Sequence, residues 1–200
     1  MATKLILIRH GETEWNLKTR YCCFNYIGLN ATGRRQAKKI KSRLKNETIH
    51  KLYSSDRRRA IETAKIIFNG TIKIEKIKDL REINFGCFEG LTHEQVTKKY
   101  PQIYQKWLRN PHKNNIPEGE NISDFRKRIV AAIKKIIALN HNKTTALVFH
   151  GGSISIFLTS ILKKDKFWQY IPRSASISIV EYKKGKPKIN LLNDTAHLYG

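Results

Sequence analysis

Two stretches of the chain are apolar without interruption, Leu5-Ile6-Leu7-Ile8 and Ala146-Leu147-Val148-Phe149. A strand covered on both faces has no polar side to present, so such runs predict buried strands of a parallel sheet. Each run ends in a histidine followed by glycine: Arg9-His10-Gly11 after the first, His150-Gly151-Gly152 after the second. Ligand sites of open α/β sheets lie beyond the carboxyl ends of their strands, which predicts that both imidazoles project into one crevice.

Between these runs, helix and strand patterns alternate. Ala37, Ile40 and Leu44 give helical spacing from Gly33 to about Leu44, and Lys51-Leu52-Tyr53 reads as a short strand. Ser55 is placed to cap a helix whose apolar face is Ala60, Ile61, Ala64, Ile67 and Phe68, and Ile72-Lys73-Ile74 alternates like another strand. Thr92-His93-Glu94-Gln95 has the form of a capping box opening a helix toward Tyr100, and Pro101 starts a segment that resumes as helix near Trp107. Phe125, Ile129, Ala132, Ile133, Ile136 and Ile137 form one face of a long helix between Asn121 and Asn140. A mostly apolar helix over Ser153 to Leu162 follows, and Ile177–Val180 with Lys188–Leu191 reads as a hairpin around Gly185. This alternation predicts an α/β fold of three layers, α/β/α, with a mostly parallel central sheet and a single domain over residues 1–200. The polar, Pro-containing stretch from Asn110 to Glu120 suits a loop lying over a site.

Composition narrows the class. No apolar run approaches the roughly 20 residues needed to cross a bilayer, and Met1-Ala2-Thr3-Lys4 leads straight into a strand with no signal-like segment. The expectation is a soluble, cytoplasmic protein without a membrane partner. Cys22, Cys23 and Cys87 are odd in number and lack metal-ligand spacing, so reduced thiols and no metal site are expected. Lys and Arg total 39 against 16 Asp and Glu, a net charge of +23. Such a field attracts nucleic acid, anionic membrane or small phosphorylated anions. The lysines are dispersed and no nucleic-acid motif accompanies them, which favours a solvated surface over a nucleic-acid face. A homodimer is left open.

The segment Leu7-Ile8-Arg9-His10-Gly11-Glu12-Thr13-Glu14-Trp15-Asn16 resembles the signature of the histidine phosphatase superfamily, also called phosphoglycerate mutase-like. Three further segments agree in order: Ser54 to Ala64, Leu80 to Gly86 with Glu89-Gly90, and Phe149 to Gly152. The resemblance implies the phosphoglycerate mutase-like fold and a histidine acid-type phosphatase, a phosphoric monoester hydrolase that needs no cofactor. It implies His10 as the nucleophile that briefly carries phosphate, Glu82 as general acid and His150 as a further catalytic donor. Arg9, Asn16, Arg59 and the Gly151 amide are the implied phosphate-binding groups. In the triplet Arg57-Arg58-Arg59, the other two arginines read as solvated charge, and an ion pair with Arg81 is the competing reading of Glu82.

The compact segment between Glu82 and His150 favours hydrolysis over mutase chemistry. The partner is then a small phosphorylated metabolite. Small phosphatases of this family include α-ribazole phosphatases of cobalamin biosynthesis, which makes α-ribazole 5'-phosphate one expected substrate. A 2,3-bisphosphoglycerate-dependent phosphoglycerate mutase and a catalytically silent nucleic-acid-binding protein are the alternatives. After Asn16 the chain departs from the family pattern, with Cys22-Cys23, Tyr26 and Gly28 where relatives usually carry a Gln-Gly or Thr-Gly pair and, further on, an Asp and a Pro. A thiolate there, beside two arginines, is read either as lowered in pKa or as plain packing.

Overall fold

The computed structural model describes residues 2–24, 26–164 and 167–199. Its six-stranded sheet consists of β1 (Thr3–Arg9), β2 (Lys51–Ser55), β3 (Ile74–Ile77), β4 (Thr144–Phe149), β5 (Ile177–Lys183) and β6 (Lys186–Asp194), ordered β3-β2-β4-β1-β5-β6 in space. The pairs β3/β2, β2/β4 and β4/β1 are parallel, and β5 and β6 add an antiparallel hairpin at one edge. Seven α-helices are found among the described residues: α1 (Glu14–Leu17), α2 (Ala31–Arg43), α3 (Arg58–Phe68), α4 (His93–Lys99), α5 (Pro101–Arg109), α6 (Ile122–Leu139) and α7 (Gly151–Leu162).

The unbroken apolar run of β1 is explained by burial on both sides. Leu5 and Leu7 join Ile129 and Ile133 of α6 and Phe157 of α7, whereas Ile6 and Ile8 join Ala37 and Ile40 of α2 and Ala60 and Ala64 of α3. Each such side chain contributes about 1.5–3 kcal/mol by leaving water. The run in β4 splits in the same way, Leu147 and Phe149 to one face, Ala146 and Val148 to the other. The expected three-layer α/β architecture with a mostly parallel sheet is therefore present. A third apolar cluster, Phe88, Val96, Tyr104, Trp107 and Ile116, gathers α4 and α5 beside the sheet.

Several local expectations shift. The helix expected from Gly33 starts at Ala31, because the Asn30 side chain accepts the Gly33 amide at 2.8 Å and fixes the first turn earlier. The strand expected at Ile72-Lys73-Ile74 forms instead over Ile74–Ile77, where Leu52 of β2 pairs with Ile74. The Thr92 capping box is present, and α5 begins at Pro101 itself, where a residue without an amide proton is tolerated. Helix α7 starts two residues before Ser153. Ser55 does not cap α3: it is the last residue of β2, and the N-cap position falls to Arg57, with no side-chain cap bond. The hairpin forms as expected, with Gly185 in its turn.

The Asn110–Glu120 loop braces rather than covers. Its Pro117 carbonyl accepts the Cys87 amide at 3.0 Å, its Glu120 amide donates to the Asn84 carbonyl at 2.9 Å, and Ile116 is buried in the aromatic cluster. The chain at Gly86 has φ +48°, and a Cβ there would meet the Pro117 carbonyl oxygen at 2.1 Å, so this close backbone approach requires glycine.

Candidate active site

The neighbouring parallel strands β1 and β4 are in register at Arg9 and Phe149, so the next residues, His10 and His150, emerge side by side. Their rings are 5.2 Å apart and edge-on. From the adjacent strand end, α3 delivers Arg59, whose Nε donates to His10 Nε2 at 3.3 Å and whose Nη2 donates to the Cys22 carbonyl at 3.1 Å. Arg9 donates through Nη1 to the Pro172 carbonyl. All seven residues singled out from the sequence, Arg9, His10, Asn16, Arg59, Glu82, His150 and Gly151, line one cavity of about 170 Å³.

Each ring is held in a defined way. His10 Nδ1 lies 2.8 Å from the Gly11 carbonyl oxygen, which can only accept, so Nδ1 carries the proton and Nε2 keeps its lone pair. Burial holds His10 well below the ordinary imidazole pKa, and the Arg59 and Arg9 charges push it further the same way. His150 is held down likewise, first by burial and then by Arg59. Both rings are therefore neutral around pH 7.

Glu82 is buried, and its two oxygens accept the Gly152 amide at 2.8 Å and the Ile83 amide at 3.0 Å. Those amides favour the carboxylate, yet desolvation outweighs them and raises its pKa. A Cβ at Gly152 would fall 2.4 Å from Glu82 Oε1, so glycine lets the carboxyl seat on the first turn of α7. The competing ion pair does not form, because Arg81 pairs with Asp56 instead. Asn16 is the third helical residue of a capping box. Its Oδ1 accepts from the Thr13 amide and hydroxyl, which leaves Nδ2 to donate.

Within the arginine triplet, Arg58 is exposed and pairs with Glu62, as expected of a solvated charge. Arg57 corrects that expectation: it is half-buried, stacked over Phe24 at 5.1 Å, with Nε and Nη2 buried. The idea of a lowered thiol pKa is overturned. Burial drives Cys22 up to about 11 and Cys23 up to about 12, outweighing the nearby arginines. The departing loop is tied down by its backbone: Cys23 and Phe24 amides donate to Glu89, and Cys23 Sγ donates to the Glu82 carbonyl.

Sequence reasoning missed two supporting hydroxyls. Thr63 accepts the Gly11 amide at 3.1 Å and donates to the Arg59 carbonyl at 2.7 Å, linking the turn after His10 to α3. Ser55 Oγ lies 2.9 Å from His150 Nε2. A buried Thr on the apolar face of α3 and a Ser closing a strand were the only signals. The cavity walls of Arg20, Tyr21, Phe85 and Trp168 also went unread, because three separate segments supply them. His197 bonds the Ala175 carbonyl at 3.0 Å.

The fold is an α/β protein whose mostly parallel sheet sets two neutral imidazoles beside two guanidiniums and a buried carboxyl in one small cavity. The chain belongs to the histidine phosphatase superfamily (branch 1), whose family model matches residues 5–195. It is 32% identical over 199 residues to phosphoserine phosphatase 1 of Hydrogenobacter thermophilus, covering 98% of this chain and 94% of that one. The structure of phosphoserine phosphatase from Entamoeba histolytica in complex with 3-phosphoglyceric acid superposes with a TM-score of 0.89 at 30% identity, covering 98% of this chain and 99% of the other. The α-ribazole phosphatase structure from Shigella flexneri reaches a TM-score of 0.88 at 24% identity, covering 96% of each chain, which is a likeness of fold. No helix is long and apolar enough to cross a membrane among the described residues.

Proposed function

We propose that the protein is a metal-independent phosphomonoesterase, transferring the phosphoryl group of a small phosphorylated metabolite first to His10 and then to water. One observation carries this reading. Arg9 Nε, Arg59 Nη1 and His150 Nδ1 are buried without hydrogen-bond partners, and their residues line the cavity into which His10 is set. Buried nitrogens left unmatched cost about 1–3 kcal/mol each, a cost that a bound phosphate's oxygens remove. Membership of the superfamily and the two phosphatase relatives support the same class.

The chemistry follows from the positions. Phosphate draws the arginine forks onto its oxygens, which releases His10 Nε2 from Arg59. The Nε2 lone pair then forms a bond to phosphorus as the phosphorus–oxygen ester bond breaks, and protonated Glu82 gives its proton to the leaving oxygen. Water next attacks the phosphohistidine; the resulting Glu82 carboxylate takes the proton, and the phosphorus–Nε2 bond breaks to return neutral His10. Arg9, Arg59, Asn16 Nδ2, His150 and the Gly151 amide at the start of α7 hold the oxygens while their charge spreads.

The first step requires neutral His10 together with protonated Glu82. The depressed His10 pKa sets the acid limb of kcat/KM, and the raised Glu82 pKa sets the alkaline limb. Activity therefore falls as pH rises through the Glu82 value. Glu82→Gln is expected to remove that alkaline limb and lower kcat about 10²–10⁴-fold on alkyl phosphates. The loss is expected to be smaller on aryl phosphates, whose leaving group needs less protonation. A pH–rate profile of the variant that keeps the wild-type alkaline limb would remove Glu82 from the acid role.

Phosphoserine leads the substrate comparison because the relatives at 32% and 30% identity carry that name. α-Ribazole 5'-phosphate follows. Phosphate release from an aryl phosphate in the presence of chelator is the expected result. Interconversion of phosphoglycerates that needs a bisphosphorylated primer, without phosphate release, would mean a mutase. Salt-sensitive nucleic-acid binding by a protein that releases no phosphate would mean a silent relative.

A further inference from the structure

Ser55 is fully buried at the carboxyl end of β2, next to the strand whose end leads into His150. The two strand ends are stitched together: Ser54 pairs with Val148, and its hydroxyl lies 2.8 Å from the Ser55 carbonyl and 3.3 Å from that of Val148. Ser55 Oγ is 2.9 Å from His150 Nε2 and accepts the Arg57 amide at 3.4 Å, and these are its hydrogen-bond contacts among the described residues. On the other side of the ring, His150 Nδ1 is buried without a partner.

Two proton arrangements satisfy the short contact, and they differ in what His150 offers an anion. If Nε2–H donates to Ser55, the serine hydroxyl proton has no acceptor among the described residues. Nδ1 would then present a lone pair toward a phosphate oxygen, which repels it. If Ser55 instead donates to a bare Nε2, its hydroxyl is used fully, accepting from Arg57 and donating to the ring. The ring proton then sits on Nδ1, where the ring's unmatched buried nitrogen becomes a donor to a phosphate oxygen.

We propose that Ser55 is a positioning residue that fixes His150 as the Nδ1–H tautomer, so that a neutral imidazole serves as a phosphate-oxygen donor. The assignment rests on the phosphomonoesterase reading for its catalytic purpose and on geometry alone for the tautomer. Because that donor strengthens its bond as charge builds on the oxygens, its loss acts on kcat more than on KM.

The test is histidine-¹⁵N-labelled protein observed by long-range ¹H–¹⁵N correlation, together with steady-state kinetics on an aryl phosphate. The wild-type His150 is expected to show a protonated Nδ1 and a bare Nε2. In Ser55→Ala the proton is expected to redistribute toward Nε2, with kcat falling about 10–100-fold, the range for losing a group that orients a functional histidine. Ser55→Thr, which keeps the hydroxyl, is expected to restore both tautomer and kcat. A wild-type His150 protonated at Nε2 overturns the proposal even if the variant does not fold. So does a folded Ser55→Ala protein with unchanged tautomer and kcat. Wild-type protein that releases no phosphate defeats the functional reading, while the spectra still decide the tautomer.

Discussion

His10→Ala is expected to lower kcat on an aryl phosphate by about 10⁴-fold or more, at least 5–6 kcal/mol of transition-state stabilisation. The variant keeps both arginines and His150, so phosphate and substrate still bind. What disappears is the lone pair at Nε2, held ready by the bond from Nδ1 to the Gly11 carbonyl. Residual turnover would come from water attacking a bound ester, a much slower reaction. The measurement is kcat with KM determined separately, on protein whose fold is verified by circular dichroism. A variant within tenfold of wild type would show that His10 is not the group that bonds to phosphorus.

Arg59→Ala is expected to cost about 10³-fold in kcat, in the range measured when a cation bound to a transferring phosphoryl group is removed. It carries a second expectation, whose sign follows from the site's electrostatics. The Arg59 charge helps hold the His10 pKa down. Without it that pKa rises, so more of the ring is protonated at a given acid pH, and the acid limb of kcat/KM moves to higher pH. Arg59→Lys restores the charge without the planar fork and is expected to return the acid limb toward its wild-type position while recovering only part of kcat. An acid limb that does not move in Arg59→Ala would separate Arg59 from the nucleophile's electrostatics.

The sheet was legible in the sequence because β1 and β4 are buried on both faces, and a short unbroken apolar run between polar flanks fits a doubly covered strand better than a surface helix. The gathering of the seven residues around one cavity was legible because short signatures surround them and because strand ends converge in a sheet of this order. Ser55 defeats a local reading for a specific reason. A serine before a helical pattern ordinarily caps the helix, whereas here His150, 95 positions away, lies against its hydroxyl. The seat of Glu82 on the Gly152 amide spans 70 positions and leaves no local trace. The cysteine question turned on burial against charge: both arginines are near, as expected, but desolvation is larger. Elements such as β3 moved by a few residues, because edge strands are placed by pairing and not by their own alternation.

The central claim is that His10 Nε2 forms a bond to phosphorus. It is tested most directly by mixing enzyme with a ³²P-labelled ester for a single turnover, quenching in alkaline denaturant, where phosphohistidine survives, and locating the label by peptide mapping. The account predicts acid-labile, base-stable phosphate on the peptide containing His10, absent from His10→Ala. Phosphate released with no labelled intermediate at any time, or label on another residue, would contradict it.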